Sequence, residues 1–155
     1  MSIESFVSVR PQDFDLSEEV GRLRAQSLQT GAIASFVGLV RDINDGQQVA
    51  TMELEHYAGM TESSIEDIIQ QASSRWQLLG ARVIHRIGRL SPSDQIVLVA
   101  VSSMHRADAF AACEFIMDFL KTRAPFWKKE LTPQGERWVD AKSTDDAAAQ
   151  RWDKN

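Results

Sequence analysis

The chain has 155 residues, 43% of them hydrophobic, which suits one compact domain with a substantial core. Its 17 Lys and Arg against 22 Asp and Glu give a net charge of −5, which argues against a general nucleic-acid surface. No apolar run reaches the roughly 18 residues of a membrane helix, the start MSIESFVSVRPQDF lacks signal-peptide character, and a lone cysteine permits no internal disulfide, so a cytoplasmic protein is expected.

Phe6-Val7-Ser8-Val9 reads as a short strand closed by Arg10-Pro11. Asp15 and Glu18 have capping-box form ahead of Val20, Leu23 and Leu28 at helical spacing. Ala32 to Val40 is nearly all apolar and predicts a buried central strand, leading into Arg41-Asp42 and the turn residues Asn44-Asp45-Gly46. From Val49 to Tyr57 polarity alternates, with Met52, Leu54 and His56 on one face, so a strand hairpin-paired with its predecessor is expected. Thr61 is the expected N-cap of a helix whose buried stripe is Ile65, Ile68, Ile69, Ala72 and Trp76, broken at Gly80. Arg82 to Gly88 is a strand, Leu90 to Asp94 a turn, and Gln95 to Ser102 a second apolar strand. A helix from about Ala107 to Arg123 follows, with Phe110, Cys113, Met117 and Leu120 at helical spacing. Thr132 to Gly135 is a turn, Glu136 to Ala141 a strand, and the alanine-rich tail from Ser143 a frayed helix. The core spans about residues 6–141 of a single domain. This order predicts an α+β fold with a mixed or antiparallel sheet.

The chemistry concentrates in Phe115 to Glu130, FIMDFLKTRAPFWKKE. Lys121, Arg123, Lys128 and Lys129 are four basic residues with no acid among them, which leaves 13 basic against 22 acidic residues elsewhere. Two readings fit. Lys121 and Arg123 complement a helix C-terminus before Pro125, or the cluster walls an anion site together with Phe126 and Trp127. Pro125 separates Lys121 from Lys128, so only a folded turn can unite them. His105-Arg106 and Arg41 each stand where an apolar strand ends, a place suited to anion-binding groups. Cys113 falls in an apolar helical stripe and reads as inert packing, and His85 reads as a structural histidine, as does His56. The widely spaced histidines and single cysteine form no metal-ligand pattern, so no metal is expected.

GAIASFVGLVRD, LEHYAGMTE, VIHRIGRL, SSMHRADAF, FIMDFLKTRAPFWKKE and GERWVDA, in this order from Gly31 to Ala141, resemble the large, catalytic subunit of molybdopterin synthase. The resemblance implies a two-layer α/β hammerhead-type fold and a homodimer within a heterotetramer. It further implies a small ubiquitin-like partner whose C-terminal Gly-Gly thiocarboxylate supplies two sulfurs to cyclic pyranopterin monophosphate, giving molybdopterin. No permanently bound cofactor is implied. By position, Lys121 and Lys128 resemble the family's catalytic lysines. Arg41, His105 and Arg106 resemble its substrate-binding residues, and Lys129 and Glu130 continue a second substrate-lining segment. Phe36, Leu39, Val40 and Met117 match positions lining the pocket or the partner's tail. Two departures stand out: Leu39 where the family often has Lys, and Ala58 where Pro is common. A non-catalytic dimeric module that accepts a ubiquitin-like tail is the competing reading. Single-stranded nucleic-acid binding through Phe126-Trp127 and the lysines is disfavoured by the net charge.

Overall fold

The computed structural model describes residues 3–44, 46–139 and 143–154. Along the chain run β1 (Glu4–Arg10), α1 (Leu16–Gln26), β2 (Ala32–Leu39), β3 (Ile43–Asn44), β4 (Gln47–Gln48), β5 (Thr51–His56) and α2 (Met60–Arg75). They are followed by β6 (Gly80–Arg86), β7 (Gly88–Leu90), β8 (Gln95–Ser103), α3 (Arg106–Thr122), β9 (Phe126–Thr132), β10 (Gly135–Val139) and α4 (Ser143–Gln150). A 3-10 turn, Arg151–Lys154, closes the described chain.

Local chemistry accounts for most of these elements. Asp15 caps α1 by accepting from the Glu18 backbone N–H at 3.0 Å. The α2 stripe is buried as its spacing demands, with Ile65, Ile69 and Ala72 at 0% exposure. The N-cap of α2, however, is Gly59 and not Thr61. Gly59 takes a φ of 83°, which a residue with a Cβ rarely adopts, and this frees Thr61 for a tertiary contact described below. In β5, Met52 and Leu54 are buried and Glu55 is exposed, following the alternation in the sequence.

The first sheet has the order β1-β6-β8-β2, with β1 parallel to β6 and the other pairs antiparallel. Continuous apolar runs in β6 and β8 reflect burial on both faces. Val83, Val99 and Val101 pack under α2 and α3, while Ile84, Leu98 and Ala100 pack against Leu23 of α1. Helix α1 thus adds a layer to the two expected. Beneath it, Arg82 of β6 meets Glu19 at 2.6 Å, a buried ion pair that ties α1 to the sheet.

The second sheet, β10-β9-β5-β7, is antiparallel throughout. Here the expected β2–β5 hairpin is corrected: β2 pairs with β8, and β5 pairs with β7 and β9. The reason is a register shift between Gly38 and Leu39, where a Cβ on Gly38 would lie 2.8 Å from Val97 Cγ1. Such a bulge bends the chain out of the first sheet before β5 begins. The segment after Pro125, to which the sequence pattern assigns no element, is the strand β9. The strand expected over 136–141 is seen as β10 from Gly135 to Val139, and 140–141 lie outside the described residues. The tail expected to fray docks as α4 and its 3-10 turn. Trp152 stacks edge-on against Trp76 and Phe115, and its Nε1–H donates to Asp118 at 2.7 Å.

Candidate active site

The bulge at the end of β2 delivers Arg41. Val40 is 3% exposed and packs with Met52, Leu54 and Leu90 between the two sheets. Its backbone is held on both sides: Val40 N–H donates to the Asp94 carbonyl at 3.0 Å, and Ser93 N–H donates to the Val40 carbonyl at 2.8 Å. Ser93 adopts a φ of 79°, a strained conformation for a residue with a Cβ, in a turn that begins at Ser91-Pro92. Leu39, Arg41, Asp42, Ile43, Pro92 and Ser93 therefore line an open cleft at this corner. Arg41 is exposed and donates from Nη2 to Asn44 Oδ1 at 3.4 Å.

Both lysines come to the same end of the molecule. Lys121 lies in the last turn of α3. The chain then reverses over Arg123 to Pro125, with Phe126 N–H donating to the Ala124 carbonyl at 2.9 Å. Buried Thr61 fastens this reversal, donating to the Pro125 carbonyl at 3.0 Å while accepting from Tyr57 N–H at 3.2 Å. β9 runs on from there, and alternation puts Phe126, Lys128 and Glu130 on the face shared with His56, Leu54 and Met52 of β5. Phe126 stacks on His85, ring centroids 3.8 Å apart. Burial pushes the His85 imidazole down to about 4, and the charges of Lys121, Lys128 and His56 push in the same direction. Lys121 and Lys128 therefore lie close to a histidine that stays neutral at pH 7. The folded turn that sequence spacing required is present.

Lys129 points to the opposite face of β9. It pairs with Glu136 at 3.6 Å and lies over the Trp138 ring at 5.2 Å. Glu130 is 1% exposed, with Asn44 Nδ2 donating to both its oxygens at 3.0 and 3.1 Å. Arg137 donates to Glu130 Oε1 from Nε at 3.2 Å and from Nη2 at 3.0 Å. Asn44 and Arg137 are absent from the sequence-derived site. One resembles an ordinary turn residue and the other lies in a short strand, and only the fold joins them to Arg41.

His105 and Arg106 lie elsewhere. His105 caps the N-terminus of α3 and Arg106 opens it, both exposed. Lys121 is 15 to 16 residues along α3 from them, which at 1.5 Å per residue puts about 23 Å between them. β2 spans the same distance: Gly31 N–H bonds the Ser103 carbonyl at one end, while Leu39 pairs with Gln95 at the other. One copy of the chain therefore gathers Arg41, Leu39, Val40, Lys121 and Lys128 at one end and leaves His105-Arg106 at the opposite end. Phe36 lies between, 42% exposed on β2, and Met117 is 8% exposed, one turn before Lys121 on α3.

Cys113 is 7% exposed, and burial pushes its thiol up to about 12. Among the described residues no three His, Cys, Asp or Glu converge as metal ligands, and no helix is long and apolar enough to cross a membrane.

The MoaE protein family matches residues 9–123 of the chain. A molybdopterin synthase catalytic subunit from Ralstonia nicotianae is 62% identical over 146 residues, covering 94% of this chain and 83% of that one. The solved structure of a molybdopterin biosynthesis MoaE protein from Burkholderia ambifaria MC40-6 superposes with a TM-score of 0.83 at 57% identity, covering 96% of this chain and 98% of that one. The crystal structure of molybdopterin synthase from Staphylococcus aureus gives a TM-score of 0.79 at 31% identity, over 86% of this chain and 96% of that one.

Proposed function

The chain belongs to the MoaE family, and from that premise we propose that it is the catalytic subunit of a molybdopterin synthase. It transfers two sulfurs from the C-terminal thiocarboxylate of a small ubiquitin-like partner to cyclic pyranopterin monophosphate. The observation that carries this reading is the convergence of Lys121 and Lys128 beside His85, at the end of the molecule that also holds Arg41. Both reactants are anions, so a cationic corner on a chain of net charge −5 is the complementary surface. Cys113, buried and held as a thiol, is no sulfur carrier, and sulfur therefore arrives on the partner.

Within that corner the two lysines divide the work. One holds and polarises the thiocarboxylate, and the other moves a proton at the pterin side chain. Arg41 takes the phosphate-bearing end of the substrate. Lys129 and Glu130 support this segment from the strand that carries Lys128. The chemistry in this reading needs no resident metal, and the cytoplasm, where a reduced Cys113 persists, is its setting.

A homodimer accounts for His105 and Arg106. β2 is the outer strand of its sheet, so one edge of its backbone lacks a strand partner among the described residues. Exposed Phe36 lies midway along it. Two copies meeting there about a two-fold axis run antiparallel. The start of one β2, with its His105-Arg106, then faces the end of the other, with its Arg41 and Lys121. Each site takes residues from both copies.

The test is a coupled assay. The protein is mixed with the thiocarboxylated small partner and cyclic pyranopterin monophosphate, and molybdopterin is detected as its fluorescent oxidised derivative. Wild type forms product. Lys121→Ala, with its fold and partner binding intact, loses activity by about 100-fold or more. Full activity in Lys121→Ala removes that lysine from the mechanism. A tight complex that forms no product at all favours a binding module instead.

A further inference from the structure

We propose that Asn44 is a positioning residue for the anion site: clamped by Glu130 and Arg137, it aims the Arg41 guanidinium through a neutral amide. The inference rests on the reading of Arg41 as the group that receives the substrate's phosphate-bearing end.

Hydrogen-bond chemistry fixes the arrangement. A carboxylate only accepts and a guanidinium only donates. Asn44 stands between one of each, so its NH2 faces Glu130, at 3.0 and 3.1 Å, and its Oδ1 faces Arg41, at 3.4 Å. No other orientation of the amide satisfies both neighbours. Asp in its place has no donor for Glu130 and adds a second negative charge beside a carboxylate that is 1% exposed. The turn chemistry at this position is open to either residue, and the bridge requires Asn.

Arg137 completes the clamp. It pairs with Glu130 Oε1 at 3.0 Å and donates from the same Nη2 to the Asn44 backbone carbonyl at 3.0 Å. The buried carboxylate thus has its counter-ion, and the β3 residue is held at side chain and backbone together. Arg41 is held in a different way. Its side chain meets a neutral amide, and its backbone is fixed through Val40 by Ser93 and Asp94. Had Glu130 paired with Arg41 directly, the guanidinium would reach an anionic ligand already neutralised. With Arg137 taking the Glu130 carboxylate, Arg41 gains direction from Asn44 without being paired to Glu130. Preorganisation of this kind lowers the cost of ordering a long side chain when the anion binds.

The experiment uses the reconstituted synthase, with thiocarboxylated partner and cyclic pyranopterin monophosphate. Steady-state kinetics are measured for wild type, Arg41→Ala, Asn44→Ala, Asn44→Ser and the Arg41→Ala/Asn44→Ala double variant, with a thermal melt for each. Asn44→Ser suits the same turn but is too short to reach either Arg41 or Glu130, so it reports on loss of the bridge even where Asn44→Ala unfolds. Arg41→Ala raises the KM for the pterin about 10-fold or more, as loss of a hydrogen bond to a charged group does. The Asn44 variants raise KM several-fold with kcat nearly unchanged. The double variant is no worse than Arg41→Ala alone, because both changes remove one interaction. Asn44 variants with wild-type KM, or an additive double variant, overturn the inference while Arg41 keeps its role. An Arg41→Ala variant with wild-type KM overturns the reading of Arg41 itself, and the inference with it.

Discussion

His85 shows how a single residue conditions the site. Its ring stacks on Phe126, two residues before Lys128, and its Nδ1 lies 2.8 Å from the Arg86 carbonyl, which fixes Nδ1 as the protonated nitrogen. Burial and the nearby Lys121, Lys128 and His56 push its pKa from 6.5 down to about 4. The site therefore gains an imidazole without a further positive charge. A consequence for stability follows. As pH falls through 6.5, the unfolded chain binds a proton that folded His85 refuses down to about 4. Across that window the unfolded state holds more protons, so stability falls with falling pH, and the His85 contribution is constant above it. Denaturation midpoints measured from pH 7.5 to 4.5 will drop more steeply in wild type than in His85→Phe, which preserves a ring against Phe126. Equal slopes would show that His85 titrates normally in the folded protein.

Elements are positioned by close approaches as much as by propensity. At Gly31, just before β2, an added Cβ would lie 2.2 Å from the Met104 backbone carbonyl oxygen, which cannot swing away as a side chain can. Gly31→Ala is therefore expected to force β2 from β8 at its start, costing about 1–3 kcal/mol by overpacking. In a chain of this size that lowers Tm by roughly 2–4 °C per kcal/mol, and an unchanged melting curve would show that the backbone yields freely here. The glycine is plain in the sequence, but the carbonyl it makes room for is 73 positions away, and much of the fold was hidden in the same manner. Helices and strands with a local cause were legible: the Asp15 cap, the Ile65 to Ala72 stripe, the alternation of Met52 and Leu54. Pairing was not. β5 neighbours β2 in sequence and lies beside β9 in space, because the Gly38 bulge turns the chain away. β9 itself went unassigned because Lys128-Lys129 breaks any apolar alternation, and its opposing faces are defined only once β5 and β10 flank it. Likewise the lysines and Arg41 were visible as charge, whereas Glu130 drew notice only through family resemblance and its burial came from the fold.

On the scale of the whole molecule, one chain places Lys121 and His105 at opposite ends of α3, and the proposed two-fold dimer would join unlike ends from two copies. That geometry makes a prediction that no single-chain site shares. A His105→Ala chain retains Lys121, and a Lys121→Ala chain retains His105; each homodimer contains only defective sites. When the two are unfolded together and refolded as a mixture, half the dimers pair one copy of each kind. In such a dimer one site combines the intact Lys121 of the first chain with the intact His105 of the second, and the other site combines both lesions. Random pairing of symmetric interfaces then restores about a quarter of wild-type activity in the coupled assay. The separately refolded variants, mixed only afterwards and without exchange, stay at their own low levels and serve as the control. If His105 instead acted within its own chain, across the length of α3, the mixture would be as inactive as its components. Recovery near a quarter also fixes the stoichiometry, since a site drawing Lys121 and His105 from one copy has no combination in the mixture that is whole.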